Sequence, residues 1–198
     1  MPDERRPPNQ GPKRAAHNRD ALVAAAREVF AEHGLDAPLS AIARRAGVGQ
    51  GVLYRHFPDR ASVASAVLEE NVRQIEAAAV VEGARLAGLL GVLTWHLTES
   101  AAFVGLLHAH GVVGRPDDLP YAMALSARVE RALRDHLGPG HPLACGSDLM
   151  LAVAMVSGAV TGPTRAARER RAVSAWRLLG VEVGPVRAFD TGPRPSTG

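Results

Sequence analysis

Residues 39–57, LSAIARRAGVGQGVLYRHF, carry the pattern that decides the fold. Leu39, Ile42, Ala43 and Ala46 recur at helical spacing and form one apolar stripe. Gly47 ends that helix, because glycine takes the left-handed backbone conformation without a Cβ penalty. Val48 is the apolar plug of the turn, and a second helix runs from about Gln50 to His56. Val52, Leu53 and Phe57 are its inward or hinge-facing positions. Two short helices joined by a glycine-bearing turn make a helix-turn-helix, whose second member lies in the DNA major groove.

On the N-terminal side, a helix is expected from about Arg19 to His33, with Asn18 as its N-cap and Gly34 as its stop. Leu22, Ala26, Val29, Phe30 and His33 fall on one face of it. Residues 1–17 lack an apolar period and hold Pro2, Pro7, Pro8 and Pro12, so a disordered arm is expected there. Pro38 suits the first turn of the next helix, with Asp36 or Ser40 in reach as caps. On the C-terminal side, Pro58 separates the second short helix from a long one over about 59–80, with Asp59 as its cap. The free N–H groups at that helix start offer a place for a DNA phosphate.

The stretch AIARRAGVGQGVLYRHFPDR resembles the DNA-binding signature of the tetracycline-repressor (TetR) family of bacterial transcription regulators. Ile42-Ala43, Ala46-Gly47-Val48, Gly51, Leu53-Tyr54, His56-Phe57-Pro58 and Arg60 carry the likeness, and the preceding helix matches in position and pattern. The resemblance is specific over roughly residues 18–68. It implies that Gly49, Gln50, Gly51, Val52, Tyr54 and His56 occupy the DNA-contact region. Gln50 can bond adenine bidentately, and Val52 can press on a thymine methyl. Gly51 lets the backbone approach the DNA, while Tyr54, His56 and Arg60 suit phosphates. Arg44, Arg45 and Arg55 are further basic candidates, or else solvated surface residues. Position 49 departs from the family pattern, being Gly where relatives carry Ser or Thr, which caps a helix less well.

Charge placement agrees with this reading. Residues 1–60 carry ten Lys+Arg against seven Asp+Glu, whereas residues 61–198 carry thirteen of each. The whole excess of positive charge therefore lies with the helix-turn-helix, as attraction to phosphate requires. Lys13 is the only lysine, so arginine would make nearly every such contact.

From Gly83 onward charge thins and Ala, Leu, Val and Gly dominate. Five further helices are expected, at about 84–98, 101–110, 117–137, 146–162 and 165–180, with no strand-like alternation. The fold class is therefore all-α, about nine helices in total. It divides into the arm (1–17), a three-helix DNA-binding domain (18–60), a helical bundle (61–183) and a flexible tail (184–198). The resemblance implies that the bundle dimerises and often holds a small-molecule effector. Trp95, His96, Phe103, His108, Tyr121, Met123 and Met155 are the candidates for lining such a pocket, though plain core packing uses the same side chains. The last two helices are the expected dimer interface, because 149–160 is apolar nearly all round and rich in small residues.

No catalytic constellation, metal-ligand spacing or cofactor loop is visible, so no enzyme activity, metal or cofactor is expected. His108 and His110 stand two apart and would point to different sides of a helix. One cysteine, Cys145, fits a reducing cytoplasm. The N-terminal stretch is no signal peptide, and no apolar run reaches membrane-spanning length. The expected function is a homodimeric repressor on a pseudo-palindromic operator in double-stranded DNA, released by a small-molecule effector. The alternatives are a DNA-binding activator or regulator without such a ligand, and a helical interaction module or enzyme that binds no DNA.

Overall fold

Among the described residues, apolar side chains spaced every three or four positions give eight α-helices and no strand. The computed structural model describes residues 11–99 and 119–189. The helices are α1 (Gly11–His33), α2 (Leu39–Arg45), α3 (Gln50–His56), α4 (Arg60–Ala79), α5 (Leu86–Glu99), α6 (Leu119–Arg134), α7 (Asp148–Ala159) and α8 (Arg165–Leu178). The helix expected at 101–110 lies outside the described residues. The chain separates into two compact units, the first ending at Val67 and the second beginning at Leu68, inside α4.

In the first unit, Leu22, Ala26, Val29 and Phe30 of α1 are buried with Ile42, Ala43, Leu53 and Phe57. Neither α2 nor α3 is long enough to bury a core alone, so α1 supplies the apolar wall on which both rest. The turn between them follows the sequence expectation. Val48 N–H donates to the Ala43 carbonyl at 3.0 Å and Ala46 N–H to that of Ile42 at 2.9 Å, while Gly47 sits at φ +66°. Val48 packs against the core.

Three local features differ from the sequence expectation. α1 begins at Gly11 rather than near Arg19, so residues 11–17, expected in the arm, are helical and Asn18 lies inside the helix instead of capping it. Lys13 to His17 are all exposed, so this extension leaves no apolar period to detect. Its Ala15 and Ala16 are strong helix formers, and Pro12 is tolerated in a first turn. His33, expected on the buried face, has a side chain 59% exposed beside Glu32. Pro38 is the N-cap of α2, and no side chain caps that helix.

The start of α4 is closed as expected. The Asp59 carboxylate accepts from Ser62 N–H at 2.8 Å, and Asp59 N–H donates back to Ser62 Oγ at 3.3 Å.

In the second unit, α5 is buried on nearly every side, from Leu86 to Thr98. Trp176 of α8 is wholly buried and donates its indole N–H to Thr94 Oγ1 at 3.0 Å. Arg168 adds a bond from Nε to the Thr98 carbonyl at 3.0 Å. Residues 184 and 185, expected in the flexible tail, are packed on α5. Gly184 N–H donates to the Ala87 carbonyl at 2.7 Å, and a Cβ placed on Gly91 would stand 2.5 Å from the Pro185 carbonyl oxygen. Two glycines facing each other allow that approach, which is why the start of the tail is held. No helix among the described residues is long and apolar enough to cross a membrane.

Candidate nucleic-acid interface

α3 is a seven-residue helix fixed at its base and open above. Leu53 is 1% exposed and anchors it in the core, and Phe57 closes its C-terminus, donating N–H to the Leu53 carbonyl at 2.8 Å. Gln50, Gly51, Tyr54 and Arg55 are exposed, with Tyr54 at 52%. Val52 and His56 are half-buried. The anchor and the open face separate as helical geometry dictates, since Gly51, Tyr54 and Arg55 lie about 100–160° around the helix from Leu53, and Gln50 is exposed in the first turn. The expected contact residues thus share one short helix with an outward surface, a form that fits a major groove.

The two glycines of this region are not demanded by internal packing. A Cβ on Gly49 or Gly51 would meet nothing within 4 Å. Gly49 is the N-cap of α3 at φ −71° and ψ 151°, without a side-chain cap. The first turn of α3 therefore leaves its N–H groups uncapped by Gly49, as its missing hydroxyl implies.

The arginines divide into those held by the protein and those that are not. Arg45 donates to Glu28 at 2.9 Å and to both carboxylate oxygens of Glu32, at 3.0 and 2.7 Å, so it ties α2 to α1. These bonds hold the Glu32 carboxyl below the usual carboxylate range and push the Arg45 guanidinium up. Arg60 donates from Nη1 to the carbonyls of Leu35 and Ala37, and so ties the start of α4 to the loop before α2. One arm of the Arg60 guanidinium is therefore occupied in fixing the loop. Arg44 and Arg55 are exposed and have no ion-pair partner among the described residues. The N-terminus of α4 is likewise partly used, since Asp59 takes the Ser62 N–H that a phosphate would otherwise approach.

Sequence reading missed Arg19, whose guanidinium lies over the Phe57 ring at 5.5 Å from its centroid and braces the exit of α3. No local signal marks that pair, because its members are far apart in the chain.

Among the described residues, those proposed from sequence to line a pocket differ widely in burial. His96 is fully buried, and Trp95 is half-buried with its ring edge-on to the imidazole at 4.9 Å between centroids. Tyr121, Met123 and Met155 are exposed, Met123 at 61% and Met155 at 54%. The core side of α6 is made by Leu125, Val129, Ala132 and Leu133; Met123 points to the opposite side, whereas Tyr121, one turn before Leu125, donates its hydroxyl to Glu69 of α4. α7 buries Leu149, Ala152, Val153 and Val156 and leaves Leu151 and Met155 outside. Met123 and Met155 thus lie on the outer surface of the described chain. Phe103 and His108 lie outside the described residues. Asn71 of α4, which sequence reading passed over, is buried with its amide unpartnered among the described residues.

Comparison with known proteins agrees with this geometry. Residues 22–67 match the family model for bacterial regulatory proteins of the tetR family. The chain is 41% identical over 63 residues to the HTH-type transcriptional regulator TtgW of Pseudomonas putida, covering 31% of this chain and 47% of that protein. It is 38% identical over 64 residues to the A-factor receptor protein of Streptomyces griseus, covering 32% of this chain and 23% of that one. These matches span less than half the length of either relative. The fold is similar to the crystal structure of a TetR transcriptional regulator from Streptomyces coelicolor, with a TM-score of 0.55 and 28% identity, over 83% of this chain and 98% of that one.

Proposed function

We propose, from the TetR-type DNA-binding domain that residues 22–67 match, that the chain is a homodimeric, sequence-specific repressor released from DNA by a small molecule. The observation that carries the proposal is the open face of α3, anchored by Leu53 below and bearing Gln50, Gly51, Tyr54 and Arg55 above. In this reading Gln50 and Val52 read base edges, Gly49 and Gly51 admit close backbone approach, and Arg44, Tyr54, Arg55 and His56 hold phosphates. Arg60 contributes through the arm not engaged with the Leu35 and Ala37 carbonyls.

A two-fold dimer would set two copies of α3 about 34–36 Å apart, or a multiple of that repeat, on a pseudo-palindrome. Leu151 and Met155 on α7, one turn apart and both more than half exposed, together with Val173 on α8, form the apolar face that we assign to the partner copy. The second unit would hold the effector and the first the DNA, in the cytoplasm, with no chemical reaction performed. The relative named A-factor receptor supports a ligand-responsive reading. Selection of bound fragments from genomic DNA tests the proposal. Enrichment of a two-fold repeated sequence, bound with a steep salt dependence, is expected. Salt-insensitive binding without an enriched sequence would overturn it.

A further inference from the structure

Asn71 lies at the centre of the buried stripe of α4 in the second unit. Leu68 and Ile75, one turn before and one turn after it, are 6% and 0% exposed, and Ala78 further along is 7% exposed. Asn71 itself is 0% exposed. Glu69 and Glu76 occupy the roughly opposite side of the helix, where both are bound by Arg128. A polar residue at the margin of such a stripe could reach water. A short amide at its centre cannot.

Neither Oδ1 nor Nδ2 of Asn71 finds a hydrogen-bond partner among the described residues. The other buried hydroxyls of the unit are engaged: Thr94 accepts from Trp176, Thr98 donates to the Trp95 carbonyl, and Ser157 donates to that of Ala154. An unpaired buried amide is costly to the folded state, where leucine would pack without penalty. Buried polar groups in native proteins are nearly always paired, so an orphaned amide calls for a partner or a role, and a bound molecule can supply the partner.

We infer that Asn71 is the polar recognition point for the effector, and that it takes a neutral, largely apolar molecule carrying an adjacent donor and acceptor, such as a carboxamide, lactam or imide. This rests on the effector reading proposed above. The amide presents one acceptor and two donor hydrogens, which a second carboxamide matches in two antiparallel bonds. A neutral ligand suits this interior: among the described residues no Asp, Glu, Lys or Arg is buried, and His96 of α5 is the one buried side chain able to carry a charge. A charged ligand would lose its water without a compensating charge.

The test uses the full-length protein with hexanamide and its near-isostere 2-heptanone, which keeps the carbonyl and replaces the amide NH2 by a methyl group. Binding is read by thermal shift and by the side-chain amide resonances of 15N-labelled protein. Hexanamide should bind at least about tenfold more tightly than the ketone and move one buried NH2 pair that is absent from Asn71→Leu. In Asn71→Leu the preference should vanish while ketone binding persists. Equal binding of the two probes, a preference that survives in Asn71→Leu, or no binding of hexanamide up to its solubility limit would each overturn the inference. If Asn71→Leu fails to fold, the preference of the unmodified protein decides. Operator affinity followed in the same titration separates the two levels. Hexanamide engaging Asn71 with DNA affinity unchanged removes the release mechanism and leaves the site standing. Release by another compound that is unaffected in Asn71→Leu leaves the mechanism and removes the site.

Discussion

Arg128 of α6 grips Glu76 of α4 with two parallel bonds, Nε to Oε1 at 2.8 Å and Nη2 to Oε2 at 2.7 Å. Its remaining arm, Nη1, reaches Glu69 Oε1 at 2.7 Å, and Tyr121 donates its hydroxyl to the other Glu69 oxygen at 3.2 Å. Glu69 and Glu76 stand two turns apart on the same side of α4, so one planar guanidinium can serve both. This network fixes α4 against α6 along the side that turns away from Asn71.

The fork makes stability depend on pH. The Arg128 bonds hold the Glu76 carboxyl below its usual range. A carboxylate whose folded value is depressed stabilises above the unfolded pKa, about 4.3, and loses that contribution as pH falls through the folded value. Glu76→Gln should therefore flatten the decline in urea midpoint on acidification from about pH 5 downward. Both side chains are partly in water, so the effect at pH 7 should stay within about 1 kcal/mol. An unchanged acid slope would show that the pair contributes nothing.

Gly49→Ser should stabilise the first unit. The N-cap position has β-region geometry suited to serine, and an added Cβ meets nothing within 4 Å. The gain of a side-chain cap over glycine is a few tenths of a kcal/mol, a rise in melting temperature of roughly 1–3 °C. A melting temperature equal to or below that of the unmodified protein would count against this account of α3.

Gly47→Ala tests the turn. Gly47 sits at φ +66°, where a Cβ is strained regardless of the space around it. Chemical denaturation should show a loss of roughly 1–2 kcal/mol, with DNA affinity falling as the two helices lose their fixed angle. Full affinity at unchanged stability would mean that the turn does not set the interface.

Arg44 and Arg45 are adjacent in the chain and should behave differently on DNA. Arg45 is held by Glu28 and Glu32, whereas Arg44 has no such partner among the described residues. Arg44→Ala should lower the slope of log affinity against log salt by about 0.9, the value of one phosphate contact. Arg45→Ala should leave that slope unchanged. Equal loss in both would assign them the same role.

The bend between α2 and α3 was legible because its causes are local, a glycine in the left-handed region and an apolar plug at Val48, as was the stop after α3 at Pro58. The same holds for the Asp59 cap. The early start of α1 was hidden because apolar periodicity reports burial, and Lys13 to His17 are exposed. The docking of Gly184 depends on Gly91, far away in sequence. The engagement of Arg45 and Arg60 depends on carboxylates and carbonyls brought near only by folding. The setting of Tyr121, Met123 and Met155 was not legible because a large apolar side chain is compatible with core, pocket or interface until the helix faces are known. Asn71 is visible in the sequence as an amide spaced with Leu68 and Ile75 along one helix face, but its lack of partners is a tertiary fact.

The central claim is that the open face of α3 reads base edges, and Gln50→Ala tests it most directly. The unmodified protein and the variant are each used to select fragments from a random DNA pool, and the enriched sites are compared base by base. The account predicts a two-fold repeated site for both, with discrimination lost at one symmetric position in the variant by about 1–3 kcal/mol and kept elsewhere. Identical base preferences for the two proteins, or no enriched site for the unmodified one, would contradict it.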